Sequence, residues 1–296
     1  MNKTLPFKGS AVAIITPFDK NGEINFDKLS ELIEMQIENQ TDAIVICGTT
    51  GESATLSDSE KISLYKFAVE VTAKRIPVIA GTGSNSTAHS IELSKCAEQC
   101  RCDSLLVVTP YYNKASQIGL VEHFNKIADN TNLPIILYNV PSRTGVNIAV
   151  DTYVKLSKHR NIVAVKEASG DISHIAKVAQ ACENSLYLYS GNDDQNIPIL
   201  SLGGKGVISV LANVLPKETH NICKLWFEGE QDEARKMHFK LLKFMNNLFI
   251  DVNPIPVKEA LNLLGLDVGG YRLPLTSMSA ENVEILQESM RKINLI

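Results

Sequence analysis

A lysine lies at the end of an apolar run in the segment NIVAVKEASGD, residues 161–171. The residues just before Lys166 are β-branched or small, which predicts a short buried strand. A charged amine in that position is costly unless it is paired, reaches water or takes part in chemistry. The neutral amine of a buried lysine can attack a ketone and form a Schiff base. Lys166 is therefore a candidate nucleophile, and a salt bridge to a carboxylate at the strand end is the alternative.

A lysine nucleophile must first lose its proton. An ordinary lysine amine, with a pKa of about 10.4, is neutral in only about one molecule in 2,500 at pH 7. Burial penalises the charged form, and a pKa of ~7–8 raises the neutral fraction about a thousandfold. The two-residue period of a strand predicts that Ala164 and Ala168 share a face with Lys166, which leaves room for a ligand, while Val163 and Val165 take the other face.

Imine formation also needs groups that move protons, and hydroxyls follow several other apolar runs. Tyr138 ends the predicted strand immediately before that of Lys166, and Thr49 and Tyr112 stand at two other strand ends, so a chain of hydroxyls could relay a proton. Arg143 follows Tyr138 on the next loop, and its guanidinium would match the carboxylate of an anionic substrate. Taken alone, each hydroxyl is better explained as a hydrogen-bonded residue at a strand end, and Arg143 is equally compatible with a solvated position on a loop.

The fold that would bring these groups together is indicated by eight apolar runs that alternate with amphipathic stretches. The runs are 11–17, 42–53, 76–85, 104–113, 133–145, 161–171, 186–193 and 206–213. This alternation predicts parallel strands with right-handed crossovers, and eight units match an α/β protein with a closed (β/α)8 TIM barrel. An open nucleotide-binding sheet is the alternative, but the segment after the first run, FDKNGEIN, has no G-x-G-x-x-G loop. In such barrels the active site lies at the C-terminal ends of the strands.

Helical periodicity divides the chain into two parts. It marks residues 25–38, 56–74 and 119–129 among the apolar runs, and residues 216–250, 254–264 and 279–293 after them. The second helix should begin with a capping box formed by Ser57 and Glu60. We therefore predict a catalytic barrel over 1–225 and a small C-terminal helical region over 226–296, whose role would be packing or contacts between subunits.

Composition narrows the class of protein. The chain has 296 residues, of which 44% are hydrophobic and 21% charged, as in an ordinary globular protein. The net charge of −4 provides no basic field for nucleic acid or anionic lipid. No apolar stretch reaches the roughly 18–20 residues of a membrane span, and MNKTLPFKGS lacks the apolar core of a signal peptide. We expect a cytoplasmic protein with neither nucleic acid nor membrane as a partner.

Metal and nucleotide sites have little support in the sequence. The six cysteines form no C-x-x-C pair and the six histidines no H-x-x-x-H pair. The stretch GTGSNS has Ser86 where a dinucleotide loop needs its third glycine, and GGKGVIS has Gly206 where a P-loop needs Ser or Thr. We expect neither a metal nor a separate cofactor.

Four motifs in order carry a resemblance to a known family. GTTGES (48–53), VTPYYN (108–113), YNVPSRTG (138–145) and VAVKEASGD (163–171) resemble those of the dihydrodipicolinate synthases, and the resemblance covers nearly the whole chain. These are pyruvate-dependent class I aldolases of diaminopimelate and lysine biosynthesis. The resemblance implies a TIM barrel, a homotetramer built as a dimer of dimers, and the condensation of pyruvate with L-aspartate 4-semialdehyde.

The resemblance also implies catalytic roles. Lys166 would form the imine with pyruvate, and Tyr138 would act as the acid and base of that step. Thr49 and Tyr112 would complete the proton relay, with Tyr112 reaching into the site of the neighbouring subunit.

Four further residues are implied to bind the substrates. Thr50 would hold the pyruvate carboxylate, the backbone of Ile208 would contact pyruvate, and Gly191 would lie nearby. Arg143 would bind the carboxylate of the semialdehyde.

One departure from the family concerns regulation by lysine. Feedback-regulated members bind lysine near the positions of Ser53, Ala54, Lys61, Asn85, His89 and Tyr111. Those members have a histidine at the position of Lys61 and a glutamate at that of His89. A cationic effector would here meet a like charge and lose an acceptor, so we predict weak or absent inhibition.

Two other functions remain as alternatives. A sibling pyruvate-dependent aldolase, such as N-acetylneuraminate lyase, would share the lysine, the tyrosine and the barrel. Arg143 and the paired Thr49 and Thr50 favour the synthase, because the siblings recognise polyhydroxylated chains. A non-catalytic barrel that only binds a ligand is the more remote alternative, since such a protein need not keep hydroxyls beside a lysine.

Overall fold

The computed structural model describes residues 3–296 and contains a closed barrel of eight parallel strands in sequence order. The strands are β1 (Gly9–Ala13), β2 (Ala43–Ile46), β3 (Val78–Gly81), β4 (Ser104–Val108), β5 (Ile135–Asn139), β6 (Ile162–Glu167), β7 (Tyr187–Ser190) and β8 (Gly206–Ser209). Pairing of β8 with β1 closes the barrel. Each predicted apolar run contains or overlaps one strand, so the predicted TIM barrel is confirmed.

Twelve α-helices accompany the strands within the described residues. They are α1 (Phe26–Glu38), α2 (Asp58–Thr72), α3 (Thr87–Gln99), α4 (Gln117–Ala128), α5 (Pro141–Thr144), α6 (Val150–Leu156), α7 (Ile172–Cys182), α8 (Asn196–Ser201), α9 (Pro216–Phe227), α10 (Gln231–Asn247), α11 (Ile255–Leu263) and α12 (Ala280–Lys292). The capping box at α2 is present, because the Ser57 side chain accepts from the Glu60 N–H and the Glu60 carboxylate accepts from the Ser57 N–H.

Two helical predictions need correction. The single stretch predicted over 216–250 is two helices, α9 and α10, because Gly229 adopts a left-handed conformation with φ +91° between them. Arg143, expected on a loop, lies in the short helix α5, which begins with Pro141 and ends at Gly145 with φ +70°. The sequence does mark this break, with Gly229 inside the polar stretch EGEQDE at 228–233, and the prediction of one continuous helix overlooked it.

The barrel separates two layers of apolar side chains. The inner layer consists mainly of small or branched side chains with one large aromatic, Tyr189. The others are Ala11, Ala13, Ala43, Val45, Ile79, Leu106, Ile136, Ala164 and Ile208. The outer layer, which includes Val12, Ile44, Leu105, Leu137 and Val165, packs against the helices. Both faces of every strand are therefore covered, as parallel sheets require.

Strand β6 departs from regular alternation near its start. Ile135 of β5 pairs with Ile162, but the next residue of β5 pairs with Ala164, so Val163 is an extra residue in the strand. Val163 joins the inner layer with Ala164 instead of taking the outer face as predicted. Beyond this bulge the alternation is regular, and Val165 faces outward.

The C-terminal helices pack against the barrel and one another. Helix α10 packs on α9 and α12, while α11 packs on α12 and on the turn 211–213 that follows β8. The boundary between 1–225 and 226–296 stays a prediction, and helix α9 extends across it to Phe227. Within residues 3–296, no helix combines the length and the apolarity that a membrane span requires.

Candidate active site

Lys166 lies inside the C-terminal end of the barrel. Its side chain is buried, with 5% of its surface exposed. The residue pairs in register with Tyr138 of β5, and its Nζ lies 4.3 Å from the centroid of the tyrosine ring. Lys166 forms no ion pair with any carboxylate in the described part of the chain. The alternative of a salt bridge at the strand end is therefore not what the structure contains.

A cavity of about 170 Å³ opens beside this amine. Six of the eight predicted site residues line it, namely Thr49, Thr50, Tyr138, Arg143, Lys166 and Gly191. They come from the ends of four strands, since in a TIM barrel these ends converge on one face of the molecule.

Small residues make the space next to Lys166. A Cβ atom on Gly191 would lie 3.0 Å from Lys166 Cε and 2.7 Å from the Ala168 side chain. Ala168 itself lines the cavity, as predicted from the two-residue period of the strand. The absence of larger side chains at these two positions leaves room for a ligand atom to approach the amine.

The turn after β2 presents the two threonines. The Gly48 carbonyl accepts from the Gly51 N–H at 3.1 Å, and the Thr16 hydroxyl donates to the Gly51 carbonyl at 2.7 Å. These bonds fix a tight turn in which Thr50 is almost fully buried, with 2% of its surface exposed. The Thr50 hydroxyl accepts from the side-chain amide of Asn253 at 3.0 Å.

A carboxylate also lies near the lysine but is bonded elsewhere. Asp193 is buried and accepts from the Ser209 hydroxyl and from the N–H groups of Val210 and Leu211. Burial raises the pKa of Asp193, while these hydrogen bonds and the charge of Lys166 oppose the rise. Asp193 thus interacts with the charge of Lys166 but forms no ion pair with its amine.

Comparison with known proteins identifies the family. Residues 6–293 match the dihydrodipicolinate synthetase family. The chain is 56% identical over 290 residues to the 4-hydroxy-tetrahydrodipicolinate synthase of Clostridium perfringens, covering 98% of this chain and 99% of that one. The chain belongs to the dihydrodipicolinate synthetase family.

Two solved structures of family members are similar over almost their whole length. A dihydrodipicolinate synthase from Acinetobacter baumannii, inhibited by chloride and complexed with pyruvate, has a TM-score of 0.95 and 42% identity, covering 98% of this chain and 99% of that chain. The synthase from Cyanidioschyzon merolae with lysine bound has a TM-score of 0.96 and 40% identity, covering 99% and 100%. The barrel and its C-terminal helices therefore follow the family architecture.

Two predicted site residues do not line the cavity. Tyr112, in the loop after β4, is 90% exposed and has a left-handed backbone with φ +73°. Ile208 is fully buried in the inner layer of the barrel, and Val210 lines the cavity beyond it. A single chain thus brings Thr49 and Tyr138 together without Tyr112.

The C-terminal region supplies wall residues that the sequence analysis missed. It was expected to serve packing or subunit contacts, yet Phe249 and Asn253 both line the cavity. The Asn253 carbonyl accepts from the Arg143 guanidinium at 3.4 Å, and its side chain bonds Thr50, so Asn253 connects two predicted site residues. The only sequence signal was an asparagine between two helical segments, in NPIP at 253–256.

No metal cluster accompanies the site. Residues 3–296 contain no group of three or more His, Cys, Asp or Glu side chains arranged to hold a metal ion. The polar atoms that face the cavity come from threonine, tyrosine, serine, asparagine, arginine and lysine side chains. This set offers an amine, several hydroxyls and a guanidinium, which together can bind carboxylates and transfer protons.

Proposed function

We propose that this protein is a Schiff-base aldolase-type lyase that condenses pyruvate with L-aspartate 4-semialdehyde to give 4-hydroxy-tetrahydrodipicolinate and water. One observation carries the proposal: the amine of Lys166 is buried, lacks a carboxylate partner in the described chain, and faces a cavity that also contains Tyr138. The family to which the chain belongs supports the same reaction.

The first half of the reaction makes a carbon nucleophile. The neutral amine of Lys166 attacks the ketone carbon of pyruvate, and loss of water gives a protonated imine. The Tyr138 hydroxyl transfers protons to and from the departing oxygen, with Thr49 as the next hydroxyl of the relay. Loss of a proton from the pyruvate methyl group then gives an enamine, whose electrons come from the broken C–H bond.

The second half uses the aldehyde. The enamine carbon attacks the aldehyde carbon of the semialdehyde, forming a carbon–carbon bond and restoring the imine. The electrons of the aldehyde π bond pass to its oxygen, which takes up a proton and becomes the hydroxyl group of the product. The amino group of the semialdehyde then attacks the imine carbon, displaces Lys166 and closes the ring. Arg143, at the cavity wall, binds the carboxylate of the semialdehyde, and Thr50 binds that of pyruvate, with Gly191 and the Ile208 backbone beside it.

The relay is completed by a second chain. The exposure of Tyr112, 90% in one chain, supports a role in which the tyrosine enters the neighbouring subunit's site. The family resemblance extends this proposal to a homotetramer, a dimer of dimers in which each tight dimer shares this tyrosine. Its cytoplasmic location stays a prediction from composition.

Borohydride trapping tests the reaction class. Incubation with pyruvate and sodium borohydride should reduce the imine and add one pyruvate-derived group to Lys166, located by peptide mass mapping. Lys258 is a matched internal control, since it is also buried but has a carboxylate partner. Absence of an adduct on Lys166 would overturn the proposal, and turnover with an aldehyde sugar in place of the semialdehyde would identify a sibling aldolase instead.

Regulation by lysine is part of the proposal. Lys61 and His89 both contact Asp58, with the Lys61 Nζ at 3.6 Å and the His89 Nε2 at 2.9 Å. Lys61 places a positive charge, and His89 removes an acidic acceptor, where regulated family members would receive a cationic effector, so lysine inhibits this protein weakly or not at all. Initial rates measured up to millimolar lysine test this, and a steep fall would contradict it.

A further inference from the structure

A second buried lysine lies outside the proposed catalytic machinery. The Nζ of Lys258, on helix α11, is 2.8 Å from the Oε1 of Glu52, and both side chains are fully buried. Taking two charges out of water is so costly that such a pair is often no more stabilising than well-packed apolar residues. A contribution to stability is therefore a weak explanation for this ion pair, and the residues around it indicate a different role.

Both side chains form hydrogen bonds to the structure around them. Lys258 also donates to the Thr16 carbonyl at 3.1 Å and lies 4.4 Å from the centroid of the Phe18 ring. The second oxygen of Glu52 accepts from the N–H of Arg272 at 3.3 Å. Each oxygen of Glu52 is thus held by a residue of the C-terminal region, more than 200 positions away in the chain.

Glu52 belongs to the turn that presents Thr49 and Thr50. It has a left-handed backbone with φ +55°, which a non-glycine residue keeps only where the surrounding structure holds it. Its N–H donates to the Thr49 carbonyl at 3.1 Å, so the position of Glu52 and that of the threonines are directly linked.

A second contact from the C-terminal region reaches the same turn. The side-chain amide of Asn253 donates to the Thr50 hydroxyl at 3.0 Å. Asn253 and Lys258 lie just before and within α11, so one short segment, 253–258, contacts the turn both at Thr50 and at Glu52. A shift of this segment would move the threonine hydroxyls relative to Lys166.

We propose that Lys258 and Glu52 are positioning residues, whose buried ion pair lets the C-terminal helical region fix the Thr49–Thr50 turn in the orientation that binds the pyruvate carboxylate. The inference rests on the proposed function, because it assigns pyruvate to this turn. It gives the C-terminal region a part in substrate binding in addition to packing.

The test removes both charges together. Leaving one partner alone in the interior is strongly destabilising, so the informative variant is Lys258→Met combined with Glu52→Gln. We expect its KM for pyruvate to rise roughly ten- to a hundredfold, because small displacements of binding groups cost about that much. Its KM for the semialdehyde should change less than threefold, and Lys258→Arg should keep part of the wild-type affinity for pyruvate. Equal pyruvate dependence of the double variant and the wild type would refute the positioning role.

Asp42→Asn is a matched control at the opposite end of the same strand. Asp42 precedes β2, lies 3.0 Å from the His220 ring and accepts from the Ser10 N–H at 2.8 Å, whereas Glu52 follows β2. The control should lose stability without any change in the KM for pyruvate. A rise in that KM similar to the double variant's would mean that any weakening of the barrel has this effect, and would also refute the proposal.

A measurement on the wild type does not depend on the variants being folded. Pyruvate should slow amide hydrogen exchange in 48–53 and in 253–258 together, with no change at residues 42–44. Protection of 48–53 alone would overturn the inferred coupling. Failure of the proposed function would appear differently, as absence of the borohydride adduct on Lys166 in the wild-type protein.

Discussion

Two lysines are buried in this barrel, and their surroundings differ in one decisive respect. Lys166 and Lys258 each lie over an aromatic ring, with Nζ 4.3 Å from the centroid of Tyr138 and 4.4 Å from that of Phe18, respectively. Lys258 has a carboxylate at 2.8 Å, whereas Lys166 has none among residues 3–296. Burial alone therefore does not make a lysine a nucleophile.

The difference extends to the space around each amine. The Lys166 amine faces a cavity of about 170 Å³ whose wall contains Ala168 and Gly191. Lys258 is fully enclosed, and its donors go to Glu52 and to the Thr16 carbonyl. An amine that is already bonded cannot attack a ketone, while one that faces a cavity can do so once it loses its proton. The surroundings of Lys258 thus fit a structural role, and those of Lys166 fit the proposed chemical role.

The largest expected effect comes from removing the proposed nucleophile. Lys166→Met should lower turnover by about three orders of magnitude or more and abolish the borohydride adduct, because no other amine lines the cavity in the described chain. Its free energy of unfolding should stay equal or increase, since the substitution breaks no ion pair and places an apolar side chain at a buried position. Enzyme assay and urea denaturation measure the two quantities, and clear destabilisation would contradict the unpaired state of Lys166.

The reverse pattern is expected at the paired lysine. Lys258→Met leaves the Glu52 carboxylate buried without its partner, so the free energy of unfolding should fall by ~3–5 kcal/mol. The variant should still form the adduct on Lys166 at saturating pyruvate. The double variant with Glu52→Gln should recover much of the stability, and equal losses in both variants would show that the pair is not coupled.

The space beside Lys166 is tested by adding one methyl group. In Gly191→Ala the new Cβ would lie 3.0 Å from Lys166 Cε and 2.9 Å from the Glu167 carbonyl. Crowding of this kind costs about 1–3 kcal/mol, so kcat/KM for pyruvate should fall roughly tenfold or more. Gly170→Ala is a comparison with nothing within 4 Å of its new Cβ, although its φ of +78° adds some backbone strain. Unchanged kinetics in Gly191→Ala would mean that the amine does not need this space.

The sequence predicted the part of the site that local patterns encode. Lys166 and Tyr138 each end a strand, and the order of strands makes them neighbours, so the pair follows from the count of βα units. The small residue at 168 follows from the two-residue period of the strand. Val163 broke that period because one extra residue in β6 shifts the register, and a bulge leaves no mark in an apolar run.

Local sequence patterns could not predict contacts between residues that are far apart in the chain. Lys258 lies in IPVKEALNL, where one lysine and one glutamate among apolar residues would usually form the solvated face of a helix. Its partner Glu52 is 206 residues away, and Asn253 is 203 residues from Thr50. Only the packing of α11 against the barrel brings these residues together. The sequence therefore predicted that the C-terminal region packs, but not that it contributes to the cavity wall.

The smallest effect concerns a partly exposed ion pair near the buried one. The backbone N–H of Arg272 donates to Glu52, and its guanidinium donates twice to Glu60, at 2.6 and 3.0 Å. The bonds from Arg272, together with hydrogen bonds from Ser57, lower the pKa of Glu60 to about 2. A carboxyl whose pKa is lower in the folded than in the unfolded chain stabilises the fold above its unfolded pKa, about 4.5, and loses that contribution as the pH falls towards 2. Because water screens this pair, we expect Glu60→Gln to cost only about 1 kcal/mol at pH 6.5.

That cost should shrink as the pH is lowered. Urea denaturation of the wild type and of Glu60→Gln at pH 6.5 and pH 3.5 measures the difference in unfolding free energy at each pH. A difference that grows on acidification would contradict the ion pair. Burial makes a charge costly once its partner is removed, so Glu60→Gln should lose much less unfolding free energy at pH 6.5 than Lys258→Met. Equal losses in the two variants would contradict the distinction between a pair screened by water and a pair enclosed in the protein.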